Sequence, residues 1–398
     1  MIHNLSDRIN SLAESQTIAM AKKARELAAK GFDVINLSFG EPDFQTPQYI
    51  KDAAKKAIDD GFTFYTPVPG YPDLRQAIAD KLLRDNGLSY KMENIVVSTG
   101  AKQSIANAVM CLVNPSDEVV ILSPYWVSYL EIVKLAEGVP VTVSGSIENE
   151  FKPTAAQIEA AITPKTKLLM YSSPCNPTGA MFNKQELADI AAMLERHPQV
   201  LVIADEMYEY ISFGEKHESL AAFESVKDRV ITVNGFSKGF AMTGWRVGYL
   251  AAEKWIADAC DKMQGQFTSG TCSIAQKAAL GALKGDMTPT KEMTAAFHKR
   301  RDMVLELMRQ IPDIKVTTPP GAFYLFPDVS AYFGKKYGEY VINTASDLSL
   351  YLLNEAHVSL VTGEAFGDEK CIRFSFAAAD DRLREAMKRI TEALAKLQ

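Results

Sequence analysis

No stretch of this chain approaches the roughly 18 to 20 consecutive apolar residues that a membrane-crossing helix requires, so no membrane span is expected. The opening MIHNLSDRINSLAES lacks the apolar core of a secretory leader, and a cytoplasmic protein is expected. Cysteine is sparse: Cys111, Cys175, Cys260, Cys272 and Cys371 are odd in number, scattered, and form no C-x-x-C pair. Neither a disulfide framework nor a zinc site is indicated, and no metal is expected. Positive charge is not in excess either. The formal net charge is −6 and basic residues do not cluster, which argues against a nucleic-acid partner. There is no internal repeat, low-complexity tract or flexible linker.

What is present is an ordinary globular composition, 47% apolar and 23% charged. At 398 residues the chain exceeds what one core organises, so a large domain with a smaller companion is expected. A helix is predicted over 17–30, closed by Gly31, and Thr46-Pro47 reads as N-cap and first position of a helix through about Asp60. Another helix should run from Pro72 to Asn86. Seven β-branched runs follow, NIVVST, EVVILS, VPVTVS, KLLMYSS, QVLVIADE, RVITVN and RVGYLAA, most separated by helix-length segments. That alternation predicts an α/β fold whose mostly parallel seven-stranded sheet is sandwiched by helices. Beyond about Leu280, a long charged helix (about 291–310), the strands FYLFPD and CIRFSF and a last amphipathic helix suggest a smaller α+β domain. The expected division is 1–45 as an N-terminal arm with part of the small domain, 46–280 as the large domain and 281–398 as the small one.

Three strand ends carry chemistry. Lys238, in Asn234-Gly235-Phe236-Ser237-Lys238-Gly239, follows the apolar strand VITV and so falls at the carboxyl end of a strand, where open α/β sheets place ligands. Partial burial there would free its amine for Schiff-base chemistry, although a Ser-Lys taken alone is most often a solvated surface lysine. Arg246, eight residues on, could pair with a phosphate. QVLVIADE delivers Asp205 to the end of an apolar strand, where an unpaired charge is costly. A protonated pyridine nitrogen would suit it, and so would a helix N-cap role. KLLMYSS runs into Pro174-Cys175-Asn176-Pro177-Thr178-Gly179, a rigid turn that fixes the Asn176 amide at the same rim.

Asn176-Pro177-Thr178-Gly179, the D-E-x-Y of 205–208 and the S-K and G-W-R of 237–246 follow one another as in the class I/II, fold-type-I aminotransferases, which this chain resembles. The resemblance extends through Gly40-Glu41-Pro42-Asp43, Tyr65 with PGYPDLR, Ser98 to Gln103, SPYWVSY, Gly321 to Tyr324 and Arg373-Phe374-Ser375. It implies pyridoxal 5′-phosphate as cofactor, an amino acid and a 2-oxo acid as substrates, and a homodimer with shared active sites. It further implies that Lys238 is the Schiff-base and proton-shuttling lysine, that Asp205 meets the pyridine nitrogen, that Asn176 and Tyr208 meet the ring oxygen, and that Trp126 stacks on the ring. Arg246 with the N–H groups of Gly100, Ala101 and Lys102 would hold the phosphate at a helix N-terminus, joined by Tyr65 from the neighbouring subunit. Arg373 would clamp the substrate α-carboxylate, supported by Asn176 and the Gly40 backbone. In one departure, many relatives carry Ser or Thr where this chain has Gly235, so a phosphate hydroxyl is missing or comes from Ser237.

Within that resemblance, Lys102 occupies the position where the thermophile-type bacterial aspartate aminotransferases have a lysine facing the distal carboxylate, and Ser15 and Thr17 also match that subgroup. Transfer between L-aspartate and 2-oxoglutarate is therefore expected. The alternatives are an aromatic or kynurenine aminotransferase, or a β-lyase on the same fold. Prephenate users in the subgroup carry a basic residue shortly before the Ser-x-Thr pair. This chain has Ala13 and Glu14 there, so prephenate activity is not expected.

Overall fold

The computed structural model describes residues 5–14, 16–214 and 216–398. All seven β-branched runs enter one sheet: β1 (Ile95–Ser98), β2 (Glu118–Ser123), β3 (Val139–Ser144), β4 (Thr166–Ser172), β5 (Leu201–Asp205), β6 (Val230–Gly235) and β7 (Gly248–Ala251). Their spatial order is β1-β7-β6-β5-β4-β2-β3. Every neighbouring pair is parallel except those made by β7, which runs antiparallel to both β1 and β6. The two-residue period of a strand divides side chains between two cores. Val119 and Ile121 enter one apolar cluster while Val120 and Leu122 enter the other, so helices must cover both faces. Edge strand β3 is correspondingly the most exposed.

Helices start and stop where the sequence places its punctuation. Gly31 and Gly87 adopt φ of 94° and 71° after Gln16–Ala29 and Pro72–Asn86, the left-handed conformation glycine adopts without a Cβ penalty. Thr46 is a correction. The next helix is Gln48–Asp59 with Pro47 as its N-cap, and the Thr46 hydroxyl instead donates to the Ala241 carbonyl at 2.6 Å and accepts from Trp245 Nε1 at 3.0 Å. A tertiary tie displaces the local cap because both partners sit in the loop after Lys238.

Toward the C-terminus, the helices Thr288–Met308 and Asp380–Leu394 pack together. A three-stranded antiparallel sheet joins Val361–Thr362, Ile372–Ser375 and Tyr324–Leu325. Ile35–Asn36 pairs in parallel with Val358–Ser359, so the N-terminal segment is stitched to this C-terminal part. Among the described residues no helix is long and apolar enough to cross a membrane.

Candidate active site

Strand register brings the chemistry to one rim. Ser172 of β4 lies opposite Asp205 of β5, and Asp205 lies opposite Val233 of β6, so Asp205 at its strand end and the loops bearing Asn176 and Lys238 open into one cleft of about 320 Å³. Asp205 forms its floor. Its carboxylate accepts from the Tyr129 hydroxyl at 2.6 Å and from the Met207 N–H at 3.2 Å. Burial pushes Asp205 up to about 6, against the pull of those two hydrogen bonds. No helix follows Asp205, so it is not an N-cap.

Across the floor, Lys238 Nζ donates to the Gly40 carbonyl at 2.5 Å and stands 5.8 Å from the centroid of the Tyr208 ring. Desolvation lowers its amine to about 8, with Arg373 and Arg246 pushing the same way and Glu41 opposing. A Cβ at Gly40 would collide with the Tyr324 hydroxyl, so only glycine lets that backbone approach the lysine. Tyr324 in turn shares a 2.8 Å hydrogen bond with the Tyr208 hydroxyl.

At one end of the cleft, the helix Ala101–Leu112 opens on Gly100, whose φ is 84° and which supplies no capping side chain. The Arg246 guanidinium lies directly over Gly100, where a Cβ would meet it. It donates to the Thr243 carbonyl at 2.8 Å and, among the described residues, forms no salt bridge. An uncapped helix N-terminus beneath a guanidinium that has no carboxylate partner suits a phosphate. Lys102, though exposed, leans 4.9 Å over the Trp126 ring at the cleft mouth. Crowding by the cleft wall and repulsion from Arg246 lower its amine.

At the other end, Arg373 is 2% exposed. Its Nη1 donates to Asn176 Oδ1 at 2.9 Å and its Nη2 to the Ser38 carbonyl at 2.5 Å, while its Nε has no partner. The guanidinium lies between the Tyr324 and Phe366 rings, 4.7 and 4.8 Å from their centroids. Among the described residues it pairs with no carboxylate, and a buried guanidinium so placed is costly unless an anion arrives.

Gly40, Ala101, Lys102, Trp126, Asn176, Asp205, Tyr208, Lys238, Arg246 and Arg373 thus line one cleft, with Ser237 and Thr17 beside them. Gly100 lies behind Arg246. Tyr65 does not join them in this chain, being 99% exposed, and Ser15 falls outside the described residues. Sequence reasoning assigned nothing to Tyr129, Tyr324 or Ser38. The first two stood inside SPYWVSY and Gly321 to Tyr324 with their sites unmarked, whereas a backbone carbonyl such as that of Ser38 leaves no residue-type signal. On the opposite side of β5, Glu206, Glu209 and His217 also converge in the interior. Glu209 is bonded by Lys81 and Asn86, and Glu206 by Ser219, so this cluster is a buried ion-pair network.

A phosphate subsite, a reactive amine and a carboxylate held for a ring nitrogen together fit pyridoxal 5′-phosphate. Residues 33–390 match the family model for aminotransferase class I and II. An aspartate/prephenate aminotransferase of Cereibacter sphaeroides is 47% identical, over 97% of each chain. The aspartate aminotransferase of Rhizobium meliloti superposes with a TM-score of 0.96 at 40% identity, covering 99% of this chain and 100% of that one. The Thermus thermophilus aspartate aminotransferase solved with maleate gives 0.93 at 37%, over 98% and 100%. With a matching sequence, a matching fold and a cleft built for the cofactor, the chain belongs to the class I and II aminotransferases, fold-type-I enzymes that depend on pyridoxal 5′-phosphate.

Proposed function

We propose that the enzyme moves the amino group of L-aspartate to 2-oxoglutarate, giving oxaloacetate and L-glutamate, as a cytoplasmic homodimer. The observation that carries this reading is the pair of cations that line the Lys238 cleft, buried Arg373 with its free Nε and Lys102 at the mouth. Two cationic clamps suit a substrate with two carboxylates. The Thermus relative was solved with maleate, itself a dicarboxylate.

When bound, pyridoxal phosphate supplies a carbonyl for covalent attachment and a ring that delocalises electrons. Lys238 is the attachment point, and its amine, eased toward neutrality by burial, afterwards moves the proton on the substrate carbon. Asp205, anchored by Tyr129, keeps the ring nitrogen protonated. Asn176 spends its Oδ1 on Arg373, which leaves its amide N–H groups for the ring oxygen beside the Tyr208 hydroxyl. Trp126 covers the ring face. The N–H groups of Gly100, Ala101 and Lys102 with Arg246, and the partner's Tyr65, hold the phosphate. Arg373, with Asn176 and the Gly40 backbone, receives the α-carboxylate, and the Lys102 ammonium receives the distal one. Residues 46–280 act as the large, cofactor-bearing domain and 281–398, with the arm of 1–45, as the small one.

Initial rates for a panel of amino donors with 2-oxoglutarate test this. Aspartate should give the highest kcat/KM, and a higher value for an aromatic donor or kynurenine would overturn it. Prephenate is the second reading, favoured by the name of the Cereibacter relative. Against it, Ala13 and Glu14 bring no cation to the arm, and in their hollow Lys134 is paired with Glu131 at 3.0 Å while Glu364 adds a further carboxylate. Prephenate as amino acceptor should therefore give a kcat/KM well below that of 2-oxoglutarate.

A further inference from the structure

The helices Ala101–Leu112 and Lys254–Phe267 lie side by side, antiparallel, and meet through a ladder with one rung per turn. Gln103 Nε2 donates to Thr268 Oγ1 at 2.6 Å, and Asn107 Nδ2 donates to Gln264 Oε1 at 3.1 Å. Stepping four residues along each helix brings the third rung to Cys111 and Cys260. The thiol of Cys111 reaches the Ala259 carbonyl at 3.3 Å, which sets it against the turn that carries Cys260. Cys111 is half-buried whereas Cys260 is 0% exposed.

We propose that Cys111 and Cys260 form a redox site that closes reversibly into a disulfide, with hydrogen peroxide as the oxidant. The two cysteines stand far apart in sequence, which is why their spacing gives no sign of it. The roles follow from their settings. Cys111 is partly open to solvent and Cys260 is enclosed, so the accessible partner is the nucleophile and the enclosed one resolves. The Cys111 thiolate attacks one peroxide oxygen, the O–O bond breaks, and the departing hydroxide takes up a proton as water, leaving a sulfenic acid. The Cys260 sulfur then displaces that hydroxyl as a second water, its own proton leaving with it, and the S–S bond forms. In sum, two thiols lose two electrons and two protons to one peroxide. The bond would staple the helix whose N-terminus opens on the phosphate end of the cleft.

The test uses the holoenzyme as purified, reduced, freed of reductant and treated with a small excess of hydrogen peroxide. Two of its five thiols should be lost, non-reducing peptide mapping should find Cys111 joined to Cys260, and dithiothreitol should restore both. Cys260→Ala should leave Cys111 as a sulfenic acid trapped by dimedone. If peroxide instead joins exposed Cys272 to another chain, or carries parental Cys111 to sulfinic acid with no linked peptide, the proposal falls. The parental peptide map decides the matter even if the variant fails to fold.

Discussion

Arg373 and Lys102 differ in what each must recognise, and substitution separates them. Every amino acid carries an α-carboxylate, so Arg373→Ala should depress kcat/KM for all donors. Only dicarboxylic donors engage Lys102, so Lys102→Asn should lower kcat/KM for aspartate and glutamate about tenfold or more beyond any loss for alanine. A hydrogen bond to a charged group is worth roughly 1.5 to 3 kcal/mol once desolvated. Equal losses for aspartate and alanine would assign Lys102 to the phosphate or the fold. Asp205 offers a test without turnover. Burial raises it from the usual 3.8 to about 6 in the folded chain. A raised carboxyl contributes stability that is complete below the unfolded value and is lost as pH rises through the folded one. The apoprotein should therefore lose up to roughly 3 kcal/mol at this site between pH 4 and 7. Asp205→Asn removes that dependence, so in urea titrations the apo variant should gain on its parent as pH rises over that window. With cofactor bound, the ring nitrogen's proton compensates the carboxylate, and the gain should disappear.

The phosphate end is governed by contact between elements. Gly235 of β6 pairs with Gly248 of β7, and a Cβ at Gly248 would collide with the Ala101 backbone at the start of the phosphate-bearing helix. The first turn of that helix thus rests on a bare strand. Gly248→Ala should lift it from Arg246, lower stability by about 1 to 3 kcal/mol as overpacking does, and weaken cofactor retention in equilibrium dialysis. Unchanged retention would mean the helix tolerates the shift. Gly235 bears on the hydroxyl that many relatives carry there. A Cβ at Gly235 lies 2.8 Å from Gly248 Cα and 2.9 Å from the Val247 carbonyl. Gly235→Ser should therefore destabilise the strand pair instead of adding a phosphate ligand, seen as a lower melting temperature with no tighter cofactor binding.

At the scale of the molecule, what was legible in the sequence follows physical range. The seven strands and the helix ends were readable because β-branched runs, prolines and glycines act locally. Lys238 and Asp205 stood out because their residue types are out of place at the ends of apolar strands, whereas Arg373, inside the strand Ile372–Ser375, was marked only by the family resemblance. Thr46 misled because its partners, Ala241 and Trp245, are distant in sequence; Tyr129 and the Cys111–Cys260 pair stayed hidden for the same reason, and Ser38 because it acts through its carbonyl. Tyr65 extends the point to a second chain. Tyr65 and Phe64 are 99% and 83% exposed, and Phe267 is 65% exposed, an apolar cost that burial against another copy would relieve. If the partner's Tyr65 completes each site, Tyr65→Ala and Lys238→Ala should each be deficient alone for different reasons, the first through a weakened phosphate hold and the second through loss of the attachment amine. Mixed and reassembled, hybrid dimers contain one site with both lesions and one site with neither. Activity should then rise above that of either variant, toward half the wild-type value per hybrid dimer. Were Tyr65 to serve its own chain, no hybrid site would be whole and mixing would restore nothing. Were it to serve no site, Tyr65→Ala would be fully active by itself. Separately tagged variants, with the hybrid isolated by two affinity steps and assayed for transamination, distinguish the three outcomes.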